Sequence, residues 1–439
     1  DDVERAVAAA KKAFVSWRLF PAPKRGELLF AVARLLEERK EAFAREMTEE
    51  MGKVLTEARG DVQEAIDMAY YMAGEGRRMW GQTTPSEMRN KFQMSVRKPH
   101  GVCGIITPWN FPMAIPSWKI FPAIVSGNTV VFKPASFTSR MGLRFVEVLQ
   151  EAGIPDGVVN LVLGSGENVG DPIVEHPDVP VIGFTGSTES GVSVAVRAAK
   201  LNKRVSLEMG GKNAVIVMDD ADLDLATDGI LWSAFGTSGQ RCTAASRVVV
   251  HRKVQAELAE RLAARAGAMK LGDGLDASVD VGPVVSDRQL QSINAYIGVG
   301  TGEGANLITG GKIARDGALA NGFFHEPTIF DNVKASMRIA QEEIFGPVTA
   351  LIPVDSLDEA IDTVNGVQYG LSASIFTGNV NNAFRAMQDV FTGILYVNAG
   401  TTGAEIHLPF GGTKATGNGH REAGTAALDF FTEWQSIYV

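Results

Sequence analysis

The sequence predicts an α/β protein organised around a parallel, doubly wound β-sheet. Short and almost fully apolar runs recur from residue 101 onward, and stretches of helical composition separate the first four of them. Strands whose two faces are both covered by helices are apolar along their whole length, and their alternation with helices indicates βαβ units. The runs are VCGIIT (102–107), TVVFKP (129–134), VVNLVLG (158–164), VIGFTG (181–186), VSLEMGG (205–211) and AVIVMD (214–219).

The first 80 residues are predicted to be helical. Apolar residues in the opening segment recur at steps of three and four, as they do on one face of an α-helix. A second helical run is predicted over about 26–60, and Gly60 and Asp61 are expected to interrupt it. After residue 220 a second α/β series begins, with a helix over 221–235, a strand in RVVVH and a helix over 254–270.

Two further segments alternate in the manner of strands. Residues 91–98 place apolar and polar side chains in turn, which predicts a strand with one solvated face. The C-terminal segment ALDFFTEWQSIYV ends in an alternating aromatic pattern that is suited to pairing with another strand. Strands of this kind have exposed edges, which a partner subunit is expected to cover.

Composition and charge exclude several classes of protein. The net charge of -9 argues against binding nucleic acid or an anionic membrane surface. Two cysteines exclude a disulfide scaffold, so we expect a reducing, cytoplasmic environment. No apolar run is long enough for a membrane span. The histidines lack metal-ligand spacing and the two cysteines are far apart in sequence, so we expect no metal site.

The segment FGTSGQRCTAASR (235–247) presents Cys242 among glycines and small residues. A thiol reacts as its thiolate, and its usual pKa of about 8.5 must fall, or a base must remove the proton, for reaction near neutrality. We expect Arg241 and nearby backbone amides to assist. The alternative is a buried structural cysteine, which is our expectation for Cys103 in VCGII.

Two other segments carry candidate catalytic groups. Glu208 in LEMGG (207–211) ends a strand among apolar neighbours, where a raised pKa would suit a general base. A salt-bridged or capping glutamate is the alternative. Asn110 in TPWNFP (107–112) is held between aromatic residues and prolines, and a rigid side-chain amide suits an oxyanion donor. An Asx turn is the alternative there.

Three segments suggest a nucleotide site. GSGENVG (164–170) follows a strand and opens a helix, although its GxGxxxG spacing is one residue longer than the usual dinucleotide fingerprint. FTGST (184–188) ends the next strand, so both turns can line one crevice. Lys133 in FKPAS (132–136) ends another strand and can reach ribose hydroxyls or a phosphate. A plain turn and a surface lysine are the alternatives.

Taken in order, these segments resemble one family, the NAD(P)-dependent aldehyde dehydrogenases, along the whole chain. The matching segments are TPWNFP, KPAS, GFTGST, LEMGGKN, GQRCTA, QEEIFGPV (341–348) and PFGGTKATG (409–417). The resemblance implies the aldehyde dehydrogenase fold, with a Rossmann-like cofactor domain, an α/β catalytic domain and a small β oligomerisation arm. We expect the cofactor domain at 1–80 and 101–210, the catalytic domain at 211–405, and the arm at 81–100 and 424–439.

The same resemblance implies roles for the three candidate catalytic residues. Cys242 would attack the aldehyde to give a thiohemiacetal, whose oxyanion the Asn110 amide and the Cys242 backbone N–H would hold. After hydride transfer Glu208 would activate water to hydrolyse the thioester, which releases a carboxylic acid. A homodimer or homotetramer is expected.

The resemblance also assigns residues to a cofactor that is NAD or NADP. They are Thr107, Trp109, Lys133, Ser136, Gly166, Ser187, Glu343 and Phe345. Members restricted to NAD often have a glutamate at the place of Ser136. Serine lacks that charge and would not repel a 2′-phosphate, so we expect NADP to be accepted.

For the substrate, the resemblance favours an aldehyde that carries a carboxylate. The segment NAGTTGAEIHLPFGG (398–412) resembles the anchor loops of semialdehyde-oxidising members. Arg241 lies beside the nucleophile, where its guanidinium could pair with a distal carboxylate. The alternative is that Arg241 turns away into an ion pair.

Other readings of the sequence stay open at this stage. Uncharged aliphatic or aromatic aldehydes are one alternative substrate class, and a CoA-acylating activity is another, although the presence of Glu208 favours hydrolysis. A non-catalytic family member is disfavoured by the joint presence of Cys242, Glu208, Asn110 and Lys133. A Rossmann alcohol dehydrogenase would need zinc ligands or a Tyr-Lys pair.

Overall fold

The computed structural model describes residues 1–439 and contains helices and strands throughout. The α-helices are α1 (Asp2–Trp17), α2 (Ala22–Glu38), α3 (Lys40–Met51), α4 (Leu55–Glu75), α5 (Ala114–Val125), α6 (Ser139–Glu151), α7 (Asp171–Glu175), α8 (Thr188–Ala199), α9 (Leu223–Phe235), α10 (Arg252–Gly267), α11 (Asp287–Gly302), α12 (Arg338–Gln341), α13 (Leu357–Asn365), α14 (Val380–Asp389) and α15 (Ala426–Phe430). The strands are β1 (Gln82–Thr84), β2 (Gln93–Pro99), β3 (Val102–Ile106), β4 (Thr129–Lys133), β5 (Val159–Leu161), β6 (Val181–Thr185), β7 (Arg204–Glu208), β8 (Asn213–Val217), β9 (Ala245–His251), β10 (Asn306–Thr309), β11 (Ile313–Ala314), β12 (Phe324–His325), β13 (Thr328–Asp331), β14 (Val348–Val354), β15 (Tyr369–Gly370), β16 (Ser372–Phe376), β17 (Ile394–Val397), β18 (Thr413–Lys414) and β19 (Thr432–Tyr438). Short 3₁₀ turns lie at Ser136–Thr138, Gly236–Gly239 and Gly317–Asn321, and a π turn lies at Gly166–Gly170.

The first sheet has five parallel strands in the order β5-β4-β3-β6-β7. Alternate side chains of its central strands enter separate cores on the two faces. One core contains residues of α2, α4, α5 and α6, and the other contains residues of α1, α7 and α8. The strand order reverses between β3 and β6, and a crevice opens at such a switch point beyond the carboxyl ends of the strands.

The second sheet has seven strands in the order β10-β13-β14-β9-β8-β16-β17. All its pairs are parallel except the edge pair β10–β13. Helices α9 and α10 pack on one face, and α11, α13 and α14 pack on the other. The predicted α/β class with parallel sheets is therefore confirmed.

The third sheet is small and antiparallel, in the order β1-β2-β19. The C-terminal strand β19 pairs with β2 along its length, from Thr432 opposite Pro99 to Tyr438 opposite Gln93. Trp434 and Tyr438 on this strand are exposed. The outer edge of β19 has no neighbouring strand in this sheet, so its backbone groups are available for pairing.

One predicted boundary is wrong. Helix α4 runs without a break through Gly60 and Asp61, which were expected to interrupt it. The chain breaks earlier, at Gly52, whose positive φ of 86° ends α3. Gly60 costs a helix only about 1 kcal/mol, and packing of α4 against α2, α3 and α5 outweighs that. The Asp61 side chain turns outward from its own helix and accepts hydrogen bonds from the first amides of α5.

The sheets bring the predicted segments to one region. Lys133 and Glu208 are the last residues of β4 and β7, and Thr107 follows β3 directly. Because parallel strands end at the same edge of a sheet, these residues and Ser187 lie along one edge. No helix in the structure is both long and apolar enough to span a bilayer.

Candidate active site

Cys242 follows a strained loop between α9 and β9. Thr237, Ser238 and Gly239 all have positive φ values, of 51°, 55° and 69°, which non-glycine residues seldom adopt. Glu57 of α4 holds this conformation, because its carboxylate accepts hydrogen bonds from the Thr237 amide and hydroxyl at 2.7–2.8 Å. The loop is therefore fixed by a distant helix rather than by its own sequence, and it presents the thiol in a defined place.

The thiol lies at the junction of two cavities. One, of about 240 Å³, lies at the carboxyl ends of the first sheet and is lined by Trp109, Asn110, Ser187, Glu343 and Phe345 among others; we call it the strand-end cavity. The other, of about 260 Å³, lies against α4 and α5 and is lined by Trp118, Arg241, Thr402 and Phe410 among others; we call it the helix-side cavity. Only Cys242 and Ile115 line both.

Burial, together with the carboxylates of Glu208 and Glu343, raises the pKa of the Cys242 thiol to about 12. This differs from the expectation that Arg241 would promote ionisation, because the guanidinium of Arg241 is already paired. Backbone amides of Cys242 and Thr243 act in the expected direction and lower the pKa, but by less. In this state the thiol keeps its proton near neutrality, so a base must take it during reaction.

Asn110 is fixed on both sides. Its side-chain Nδ2 donates to the carbonyl oxygen of Gln240 at 3.0 Å, two residues before the nucleophile. Its backbone carbonyl oxygen accepts a hydrogen bond from the Nζ of Lys53 at 2.6 Å. A side-chain amide carries two N–H donors, so the second remains for an oxyanion formed beside Cys242. The residue is buried, which makes such a donor effective.

Glu208 ends β7 and is buried. Neither carboxyl oxygen has a partner of good hydrogen-bond geometry, and the Gly412 amide is the backbone donor that interacts with it. Burial raises its pKa to about 8, although Lys119 and Arg421 act in the opposite direction. Gly411 makes room for the group, because a Cβ there would lie 2.5 Å from Oε1. The carboxyl is therefore held near the pH at which a general base works best.

A buried ion pair beside Glu208 was not predicted. Lys119 of α5 pairs with Glu422, and both side chains are almost fully enclosed. Burial lowers the pKa of Lys119 to about 7, while Glu208 raises it. The sequence did offer one sign, since Lys119 is the single charge in the apolar helix AIPSWKIFPAIV. Glu422 lies far from Lys119 in sequence, and no local pattern indicated that it would be its partner.

Glu343 and Phe345 lie on the strand-end cavity, as the resemblance implied. The Glu343 Oε1 accepts from the Gly211 amide at 2.9 Å, and burial raises the pKa of this carboxyl to about 7. Gly210 is required here, because a Cβ would lie 2.2 Å from Oε2. Phe345 adopts a φ of 55° and packs edge-on against Trp109 with ring centroids 5.6 Å apart.

Four of the predicted cofactor residues lie outside this cavity, along the neighbouring strand ends: Thr107, Lys133, Ser136 and Gly166. The Ser136 hydroxyl donates to the carbonyl of Gly164 at 3.2 Å, which joins the KPAS segment to the glycine loop. The Lys133 side chain runs toward that loop, and burial lowers its pKa. Gly166 has open space around it, and Thr107 has a buried hydroxyl without a partner.

Arg241 lines the helix-side cavity, but its charge is compensated. Its Nη2 lies 3.0 Å from Glu57 Oε1, and its Nε donates to the Thr237 hydroxyl at 3.1 Å. The guanidinium also lies 4.9 Å from the ring centroid of Trp232. The ion pair that the sequence left as an alternative is present, and Arg241 helps to hold the cysteine loop.

Several lining residues escaped sequence reasoning. They are Met209, Gly210 and Gln289 in the strand-end cavity and Glu57, Glu64, Trp118 and Thr402 in the helix-side cavity. Met209 and Gly210 belong to the LEMGG segment, so their position could have been inferred from Glu208. Thr402 belongs to the segment 398–412, which the sequence analysis singled out without naming this residue. Gln289, Glu57, Glu64 and Trp118 lie on elements that meet the site only through tertiary packing.

A doubly wound sheet, a second α/β sheet and a cysteine at the junction of two cavities are the arrangement of a nucleotide-dependent enzyme with a thiol at its site. The model of the aldehyde dehydrogenase family matches residues 1–437, and the chain belongs to that family. The predicted family, fold and enzyme class are thereby confirmed.

Individual relatives agree with this assignment. The alpha-ketoglutaric semialdehyde dehydrogenase of Bacillus subtilis (strain 168) is 44% identical over 439 residues, which cover 100% of this chain and 90% of that protein. The alpha-ketoglutarate semialdehyde dehydrogenase of Haloferax volcanii is 42% identical, with 100% and 91% covered. A solved structure of betaine aldehyde dehydrogenase from Staphylococcus aureus in complex with NAD+ has a TM-score of 0.98 at 36% identity, with 100% of this chain and 87% of that chain covered.

Proposed function

We propose that this enzyme oxidises a carboxylate-bearing semialdehyde to the corresponding dicarboxylic acid with NAD+ or NADP+. The observation that carries the proposal is the position of Cys242 at the junction of two cavities. One cavity can hold the cofactor and the other the aldehyde, so that both can reach the same sulfur. The names of the two curated relatives above support the substrate class.

In the first step a solvent base, water or hydroxide that enters through the cavities, takes the proton of the Cys242 thiol. The sulfur then forms a bond to the aldehyde carbon, and the carbonyl oxygen becomes an oxyanion. The Asn110 amide stabilises that oxygen, and a donor of this kind typically contributes about 3 kcal/mol. The bound nicotinamide cofactor supplies an acceptor for the hydride that leaves the carbon. What remains on the protein is a thioester at Cys242.

In the second step Glu208 takes a proton from water, which attacks the thioester carbon. The C–S bond breaks, the sulfur recovers its electron pair, and the acid leaves. A carboxyl group without hydrogen-bond partners is free to make one to that water. The neighbouring pair of Lys119 and Glu422 offers a route for the proton away from the site.

The residues of the strand-end cavity fit the cofactor. Gly210 leaves space that any Cβ would fill, and it lets Glu343 keep one oxygen for ribose hydroxyls. Ser187 caps α8, whose amino end favours a phosphate. Lys133, Ser136 and Gly166 would hold the adenosine end. Thr107, Trp109 and Phe345 would line the path between the two ends.

The helix-side cavity offers unpartnered donors to an anionic group. The Trp118 Nε1 and the Thr402 hydroxyl are both buried without a hydrogen-bond partner. Thr402 belongs to the segment 398–412, which the sequence compared with semialdehyde anchor loops. These two donors support recognition of a distal carboxylate, whereas the charge of Arg241 is already paired with Glu57.

The test is a comparison of kcat/KM for succinic or glutaric semialdehyde with that for butanal or hexanal. We expect kcat/KM to be higher for the charged aldehydes by about tenfold or more, which corresponds to one charge-assisted hydrogen bond. A preference for the uncharged aldehydes would overturn the proposed substrate. The same reactions with and without CoA separate hydrolysis from acyl transfer, and we expect CoA to have no effect because Glu208 is present.

We further propose that the predicted division of the chain follows the three sheets. The cofactor domain would comprise 1–80 and 101–210, the catalytic domain 211–405, and the oligomerisation arm 81–100 and 424–439. The open edge of β19 supports a homodimer or homotetramer. The cytoplasmic location stays a prediction.

A further inference from the structure

The helix-side cavity contains one carboxyl group that no cation balances. Three of the acidic residues that line it form ion pairs, and Glu64 forms none within 4.0 Å. The pairs are Glu57 with Arg241, Asp61 with Lys53, and Glu422 with Lys119. With Glu64 neutral, the formal charges around the cavity cancel, and with Glu64 ionised they leave one negative charge.

Glu64 lies on α4, one helical turn after Asp61, and faces the same cavity as Cys242. Burial, together with the charge of Asp61, raises the pKa of its carboxyl to about 8. Lys53 and Arg241 oppose this shift, but both already serve other carboxylates. The charged and titratable groups around it are Glu57, Asp61 and Asp67 on its own helix, Lys53 in the preceding turn, Arg241 and Cys242 on the cysteine loop, Tyr396 on β17, and Glu405 and Glu422 beyond β17.

We propose that Glu64 sets the charge that the enzyme accepts at the distal end of its aldehyde substrate. As a neutral acid it donates a hydrogen bond to a distal carboxylate, and once ionised it repels that carboxylate. This inference deepens the proposed function, since it concerns how the same cavity admits an anionic substrate. An O–H···O⁻ bond is among the stronger hydrogen bonds in proteins, whereas two carboxylates in one enclosed site raise each other's energy.

The direction with pH follows from the raised pKa. Below about pH 8 the carboxyl is neutral and a carboxylate substrate is accepted, and above that pH the carboxyl is ionised and such a substrate is disfavoured. Uncharged aldehydes neither gain nor lose this interaction. Cys242 and Glu208 also titrate, but they act on every aldehyde alike, so they cancel in a ratio of two substrates. The pKa of Lys119, whose partner Glu422 lines the cavity, is lowered to about 7, but this pair is present in the parent enzyme and in a Glu64 variant alike, so the difference between those two enzymes isolates Glu64.

The experiment measures kcat/KM for succinic semialdehyde and for butanal, which have the same number of carbon atoms, between about pH 6 and pH 9.5. We expect their ratio to be level below about pH 7 and to fall about tenfold by about pH 9.5, the size expected for loss of a charge-assisted hydrogen bond. In Glu64→Gln, which keeps a donor and cannot ionise, the ratio should fall clearly less, because only the contribution of the Lys119–Glu422 pair remains.

A matched control is Asp67→Asn, which removes an exposed carboxylate one turn further along the same helix. We expect this variant to keep a decline of the size seen in the parent enzyme, moved slightly to lower pH because Asp67 contributes a little to the raised pKa of Glu64. Thermal unfolding of both variants shows whether they are folded. A level ratio in the parent enzyme, or a decline of the same size in Glu64→Gln, would overturn the role of Glu64.

These outcomes are distinct from failure of the proposed substrate class. If butanal is preferred at every pH and the ratio still falls more when Glu64 is present than in Glu64→Gln, the proposed substrate is wrong and the inference about Glu64 holds. If succinic semialdehyde is preferred and the ratio stays level, the proposed substrate class holds and the inference about Glu64 is wrong.

Discussion

The chemistry of single residues at this site depends on carboxyl groups that burial keeps protonated near neutrality. Glu208 is the clearest case, because its pKa is raised to about 8 and its oxygens lack good hydrogen-bond partners. A carboxyl with a raised pKa is neutral below that value and cannot accept a proton, and it becomes a base above it. The second half of the reaction is therefore the step that should respond to pH.

We expect kcat to rise with pH and to level off above about pH 8, where Glu208 is ionised. The measurement is kcat at saturating aldehyde and cofactor from about pH 6 to about pH 9.5. Glu208→Gln should lower kcat by roughly a hundredfold and remove this rise, while still releasing one equivalent of reduced cofactor in the first turnover. A level profile in the parent enzyme contradicts the assignment.

Cofactor choice is a second prediction at the scale of a residue. Ser136 hydrogen-bonds to the glycine loop through its hydroxyl and carries no charge toward a 2′-phosphate. We expect KM for NADP to lie within about a hundredfold of KM for NAD. Ser136→Glu should raise the ratio of KM for NADP to KM for NAD by at least about tenfold, because the carboxylate repels the 2′-phosphate. Ser136→Gln is the matched uncharged control. A hundredfold or larger gap in the parent enzyme would refute the expectation.

At the scale of elements, helix α4 connects the stability of the fold to the geometry of the site. Asp61 pairs with Lys53 at 2.9 Å with neither side chain exposed, and it also accepts from the amides of Met113 and Ala114 at the start of α5. The Nζ of Lys53 in turn holds the backbone of Asn110. One carboxylate thus joins α4, α5 and the oxyanion donor.

Asp61→Asn should lower the free energy of unfolding by about 3–5 kcal/mol, because it leaves the ammonium of Lys53 without its counter-charge. Chemical denaturation of the parent and variant measures this difference. Asp67→Asn, an exposed change on the same helix, should alter stability by no more than about 0.5 kcal/mol. Equal effects of the two substitutions would show that the buried pair does not stabilise the fold.

The same helix shows what the sequence could and could not predict. The five strands of the first sheet and strands β8 and β9 of the second were predicted, because a continuous apolar run of about four to eight residues is typical of a strand buried on both faces. The continuity of α4 was not, since Gly60 suggests a break and only packing with three other helices removes it. Cys242, Glu208 and Asn110 stood out by local setting, whereas Glu57, Glu64 and Glu422 act through contacts that no local pattern encodes.

At the scale of the whole molecule, the small antiparallel sheet has an edge that no other strand of this chain covers. The outer strand β19 exposes Trp434 and Tyr438, and its free edge has no strand beside it. We expect sedimentation velocity at micromolar concentration to give a particle of at least twice the chain mass of 46.9 kDa. A particle of the single-chain mass would contradict the proposed oligomerisation arm.

The claim on which the account depends most is that the sulfur of Cys242 carries the substrate. The chain provides a matched control in Cys103, its only other cysteine, which is fully buried in β3. The most direct measurement compares aldehyde-dependent reduction of NAD+ by Cys242→Ala and Cys103→Ala. We expect the first to lose activity by at least about a thousandfold and the second to keep most of it; a Cys242→Ala enzyme that oxidises aldehydes at the rate of the parent would contradict the account.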